Sequence, residues 1–153
     1  MKKLEKLLKR LDKAWCAFLD SYSGLSEAEL LLPGVAGAWS LKDLIAHVST
    51  WEEEALRHLP FVLRGENLPR YSVVYGGIDA FNARTSVAKR DLALSEVLRQ
   101  SDQTHRKLVE YIESVPEEHL GGETRFRRRL RLDTYGHYAK HTAAIRKWRN
   151  SIN

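Results

Sequence analysis

The chain has 153 residues, 43% hydrophobic and 29% charged, with nine glycines, four prolines and one cysteine. That length suits one domain over 1–153 that needs no disulfide or structural metal to fold, and the composition excludes wholesale disorder, a disulfide framework and a CxxC zinc or redox site. A formal charge of +5 admits an anionic partner without demanding one.

The N-terminus opens on lysines, but Glu5, Lys6, Lys9, Arg10 and Asp12 interrupt any apolar signal segment. Nothing approaches the roughly 18 uninterrupted apolar residues of a membrane span, and a lone cysteine suits the cytoplasm. Leu4, Leu7, Leu8, Leu11, Trp15, Phe18, Leu19 and Tyr22 recur at helical spacing, predicting an amphipathic helix over 2–22. Cys16 falls beside Trp15 and reads as a small packing residue rather than a nucleophile. After a Leu-Pro-Gly loop, Ser40-Leu41-Lys42-Asp43 has the form of a capping box. Leu41, Leu44, Ile45, Val48, Trp51 and Ala55 then carry a second stripe, predicting a helix over 40–64.

Pro60, Gly65, Pro69 and Gly76-Gly77 loosen the chain before helical spacing resumes at Ile78. A helical region over 78–115 follows, with a break near Leu94-Ser95 where Ser95 can cap, and Leu98, His105, Leu108, Ile112 and Val115 form its inward stripe. Pro116 ends it. Arg125, Arg127, Arg128, Arg129 and Arg131 put five guanidinium groups into seven residues, interleaved with Phe126, Leu130 and Leu132. The run reads as a solvated loop or short extended segment, as an anion site through bidentate pairing, or, with thinner support, as a nucleic-acid contact. Asp133 or Thr134 can cap a last helix over 133–150, with Tyr138, Ile145, Trp148 and Ile152 inward. Four such stripes predict an all-α, antiparallel four-helix bundle with a long crossover around residues 70–90.

The six histidines carry the informative chemistry. His137 and His141 are four apart, on the inward side of the last helix, where two imidazoles one turn apart can hold one ion. Alternatively they are two polar core residues. The intervening residues Tyr138-Ala139-Lys140 lack the glutamate of an HExxH metalloprotease, which is excluded. Gly136 either admits a close neighbour or lies harmlessly in the first helical turn. A third ligand has to come from another helix. His47, between Leu44 and Trp51, is best placed, and His105 competes although it reads as a core or groove histidine. His58 and His119 read as surface residues. Asp43 reads as the capping acid and Glu54 as solvated, either being admissible beside a metal site.

The segment Gly37-Ala38-Trp39-Ser40-Leu41-Lys42-Asp43-Leu44-Ile45-Ala46-His47, followed by Trp51-Glu52, resembles the second helix of the DinB/YfiT-like superfamily. The ending His137-Tyr138-Ala139-Lys140-His141-Thr142-Ala143-Ala144-Ile145-Arg146-Lys147-Trp148 resembles its last helix. The first helix, the Leu-Pro-Gly loop, Asp79-Ala80-Phe81-Asn82 and the third helix fit in order. The middle of the chain resembles the colibactin self-protection branch, which often lacks the second histidine of the last helix. His141 is present here, so the match is closer to the metal-binding branches. The resemblance implies a four-helix bundle with a divalent metal, zinc or nickel, on His47, His137 and His141. Family members of known activity include thiol transferases using bacillithiol, mycothiol or glutathione and a maleylpyruvate isomerase. The expectation is therefore a metal-dependent enzyme that transfers a low-molecular-weight thiol to an electrophilic small molecule. Arg128 would bind the charged thiol, and the exact catalytic residues are left unassigned. A hydrolase or a non-enzymatic self-protection protein is the alternative. Partners expected are a small-molecule substrate and, at most, a second copy of the chain as a homodimer; neither nucleic acid nor a membrane is expected.

Overall fold

In the computed structural model, which describes residues 2–153, the chain is helical, and no strand occurs among the described residues beyond an isolated bridge between Ala36 and Trp39. The helices are α1 (Lys3–Tyr22), α2 (Glu27–Leu30), α3 (Leu41–Leu63), α4 (Tyr71–Val74), α5 (Ile78–Lys89), α6 (Leu94–Glu113), α7 (Arg125–Asp133) and α8 (Tyr135–Ile152). A single 3-10 turn, Glu117–His119, follows α6. None of the described helices is long and apolar enough to cross a membrane.

Helices α1, α3, α6 and α8 form the expected antiparallel bundle, with α4 and α5 in the crossover. Each presents a stripe to one core: Leu7, Leu11, Trp15 and Phe18 from α1, and Leu44, Ile45, Val48, Ala55 and Leu59 from α3. Val97, Leu108 and Ile112 of α6 meet Tyr138 and Ile145 of α8 in the same cluster. The closest helix pairings are α1 with α8 and α3 with α6, while α3 and α8 touch over a shorter stretch. That shorter stretch is where the histidines meet.

Local chemistry sets the boundaries. Ser40 caps α3 as expected: its hydroxyl accepts from the Asp43 amide at 3.2 Å, and the Asp43 carboxylate accepts from the Ser40 amide at 2.9 Å. The region 78–115 is two helices with a break at residues 90–93, close to where it was expected. Ala93, not Ser95, occupies the N-cap position, and no side chain caps it. The arginine run departs from expectation. It is neither loop nor extended segment but helix α7, begun by the Thr124 hydroxyl accepting from the Arg127 amide at 3.1 Å. Phe126 and Leu130, four apart, are buried on its inner side, so helical amphipathicity outweighs the charge density of the run. Thr134 holds the N-cap position of α8, one of the two positions expected, but its hydroxyl donates to the Leu130 carbonyl at 2.6 Å and caps no amide, while Asp133 is paired with Arg129.

Candidate metal centre

Helix α3 delivers His47 and helix α8 delivers His137 and His141 to one spot. His137 Nε2 lies 3.1 Å from His47 Nε2 and 2.8 Å from His141 Nε2, and ligand atoms of all three lie within 4.8 Å of one another. Hydrogen bonding alone accounts for this poorly. His137 Nε2 carries one proton or one lone pair in the ring plane, so it can satisfy only one of its two partners. A cation satisfies both, because every ring can turn a lone pair inward. Nitrogens at the ~2.0–2.1 Å of a Zn–N bond stand roughly 2.9–3.4 Å apart for bond angles near 90–110°, so the observed contacts suit a divalent ion. Three protein ligands leave at least one coordination position open, the pattern of catalytic rather than structural sites.

Electrostatics agree with that donor set. Burial, then the neighbouring His141 and Lys140, pushes the His47 imidazole down to about 3. Burial and the two partner imidazoles push His137 down to about 2, and burial with Lys140 takes His141 to about 4. All three are neutral at physiological pH, as metal ligation requires. Aromatic packing holds the rings: Trp39 lies 4.8 Å from His47 and Trp51 6.2 Å, edge-on, from His137. Among the described residues His137 Nδ1 is buried without a hydrogen-bond partner, so packing rather than a carboxylate or carbonyl orients that ring.

His105 is not part of this cluster. It stacks on Trp15 with centroids 3.8 Å apart, and its Nδ1 meets Glu52 Oε2 at 2.8 Å, the groove role expected for it. Glu52 is fully buried and also accepts from the Tyr138 hydroxyl at 2.5 Å. Burial raises its carboxyl above the usual range, against the pull of His105 and Tyr138. This carboxylate ties α3, α6 and α8 together behind the histidines, and the sequence reading drew no role from it. The signal was there: Glu52 sits on the Ile45–Val48–Ala55–Leu59 stripe.

Two expectations of exposure are corrected. His58 and Glu54 are buried. Burial pushes the Glu54 carboxyl up, but hydrogen bonds from His58, Arg57 and Tyr71 more than offset this and hold it near 2. The Tyr71 hydroxyl donates to Glu54 at 2.7 Å and accepts from Arg129 at 2.9 Å. His119 is half-buried in the 3-10 turn. Cys16, expected to pack, is exposed, with its thiol against Asp12 at 3.7 Å. Arg128 is exposed on α7 and donates to the Glu123 carbonyl at 2.6 Å. It lines an open cleft with Arg125, Arg129, Arg70 and Tyr71 that includes none of the three clustered histidines. His47 instead lines a smaller pocket with Trp39, Asp43, Thr50, Asn82 and Lys89.

Solved structures share this architecture. The protein described as Sibling Lethal Factor Precursor, DfsB, superposes with a TM-score of 0.80 at 18% identity, covering 98% of this chain and 96% of its own. Colibactin self-resistance protein ClbS, solved in complex with a dsDNA, gives 0.78 at 16% identity over 94% and 93% of the two chains. An uncharacterised protein from Escherichia coli UTI89 gives 0.80 at 15% identity over 100% and 96%. No curated protein matches the sequence. The family model described as the DinB superfamily matches residues 10–144, a span holding all three clustered histidines, and the chain belongs to that superfamily.

Proposed function

We propose that His47, His137 and His141 hold a divalent ion, zinc or nickel, and that the protein transfers a low-molecular-weight thiol to an electrophilic small molecule in the cytoplasm. The observation that carries this reading is the convergence of three neutral imidazoles, from two helices, with contacts of 2.8 and 3.1 Å. A divalent ion held there would lower the pKa of a thiol and keep it as the nucleophilic thiolate. In the transfer, a sulfur–carbon bond forms, the leaving group departs with the electrons of its former bond, and the thiol proton passes to solvent.

The arrangement of carboxylates favours thiol transfer over hydrolysis. Water attack calls for a general base beside the nucleophile, yet the nearby acids are engaged. Asp43 caps α3, Glu52 binds Tyr138 and His105, and Glu54 binds Arg57 and Tyr71. A thiolate needs no base during attack. Arg128, on the helix leading into α8, is the proposed contact for the charged part of the thiol.

Metal analysis of untagged protein tests the centre. Wild type should carry close to one ion per chain, His137→Ala should lose it, and His105→Ala should keep it. Glutathione, bacillithiol, mycothiol and coenzyme A, each offered with 1-chloro-2,4-dinitrobenzene, then test the reaction. A metal-dependent rate with one of them is expected. No rate above the metal-stripped control would move the assignment to hydrolysis or to binding without catalysis.

A further inference from the structure

Beside the centre lies an open cleft of about 880 Å³ whose lining joins Arg70, Arg125 and Arg128 to the apolar side chains of Leu68, Ile78 and Leu132. Its volume falls within the range of small-molecule sites. Ile78 and Leu132 are 53% and 69% exposed, large apolar groups left in solvent at a concave surface. Arg129, also in the lining, is neutralised by Asp133 at 2.7 Å. Arg125 and Arg128 instead donate to neutral acceptors: Arg125 to the Glu66 carbonyl and the Asn67 side chain, Arg128 to the Glu123 carbonyl. Both are thus steadied without losing their charge. Among the described residues Arg70 pairs with no carboxylate, and Asp79 is the sole acid in the lining.

We propose that this cleft binds a small organic anion with an apolar body, its phosphate or carboxylate against Arg70, Arg125 and Arg128 and its body against Ile78 and Leu132. This rests on the reading of Arg128 as an anion contact and sharpens it to a ligand class. Exposed guanidinium groups alone bind an anion weakly, because water screens the pair. The apolar wall has to supply the rest of the affinity through burial, so charge and apolar surface must belong to one molecule. Duplex nucleic acid presents phosphates without such a body and fits the cleft less well. The cleft stands one aromatic layer from the histidines. Its wall residue Tyr71 stacks on Trp51 at 5.5 Å, and Trp51 packs against His137.

Calorimetric titration of metal-loaded and metal-stripped protein with 1-naphthyl phosphate and 1-naphthoate tests the proposal, with 1-naphthol, inorganic phosphate and a 20-base-pair duplex as comparisons. At least one naphthyl anion should bind with or without metal, tenfold or more tighter than naphthol and inorganic phosphate. The double variant R70Q/R128Q should weaken it at least tenfold and L132N at least threefold, with thermal midpoints unchanged. Inorganic phosphate binding as tightly as the naphthyl anions, tighter binding of the duplex at equal salt, or indifference to R70Q/R128Q would each overturn it. Probe binding by a protein that takes up no metal would sink the metal reading alone. Metal uptake without probe binding would sink this inference alone.

Discussion

At the scale of single residues, the histidines couple protonation to stability. In the unfolded chain a histidine titrates near 6.5, whereas burial holds His47, His137 and His141 at about 3, 2 and 4 in the fold. At these three sites the unfolded chain binds more protons than the folded one below pH 6.5, which outweighs the opposite pull of the raised Glu52 and Asp133 carboxyls, and stability falls as pH falls. The metal-free protein should lose stability steadily from pH 6.5 toward 4, read as declining urea midpoints; midpoints constant over that window would contradict the burial of neutral imidazoles. Glu52 supports a second prediction. Glu52→Ala strands the His105 ring and the Tyr138 hydroxyl in the core and should cost about 3 kcal/mol in urea unfolding, while exposed Glu53→Ala should change stability by less than about 0.5 kcal/mol. The pair His137 and His141 was legible from spacing because both residues lie on one helix. Glu52 and His58 were harder to read, one lying in a run of three acids and the other close to Pro60. Yet His58 lies seven residues beyond Trp51, on the same face, and that spacing was the available clue to its burial.

At the scale of elements, the α7–α8 junction sets where two of the three histidines stand. Gly136 is the second residue of α8, and a Cβ built on it would meet the Arg131 carbonyl oxygen at 2.8 Å. The obstacle is backbone, so α7 would have to move. Gly136→Ala should therefore destabilise the protein by about 1–3 kcal/mol. It should also weaken metal binding, since any shift of α8 away from α7 moves His137 at the next position. Wild-type stability in a Gly136→Ala variant would show that the junction yields freely. Of the two alternatives the sequence left for this glycine, the close approach holds: it stands in the first turn of α8, but not harmlessly. Helix α7 itself was hidden by composition: five arginines in seven residues read as solvated chain. The Phe126–Leu130 spacing and the Thr124 cap were the contrary signals, and packing of that apolar edge against α3 and α8 decided the outcome. The break before α6 had no glycine or proline to announce it, which explains the misplaced cap at Ser95.

At the scale of the whole molecule, the bundle is two closely packed helix pairs, α1 with α8 and α3 with α6, joined by a thinner seam between α3 and α8. The core stripes made this arrangement legible, because four amphipathic helices can bury their faces only against one another. The chemistry at the seam was less legible, because it depends on which residues of different helices stand at one level. The histidine cluster and the Glu52–Tyr138 bond both cross it, so polar groups, in addition to the shared apolar core, tie each pair to the other. An ion held by His47 from one pair and by His137 and His141 from the other would bind only when the pairs are docked. Binding restricted to the folded state adds RT ln(1 + [L]/Kd), about 4 kcal/mol at a thousandfold excess over Kd. Zinc or nickel should therefore raise the urea midpoint of stripped protein in step with free metal concentration. Amide exchange should slow on α3 and α8 together rather than on one alone. His141→Ala should remove most of that response while leaving the metal-free midpoint near wild type or above it, since a half-buried imidazole is deleted without stranding a partner carboxylate. Metal that slowed exchange on α8 alone would place the ion on His137 and His141 without His47, and would break the link across the seam.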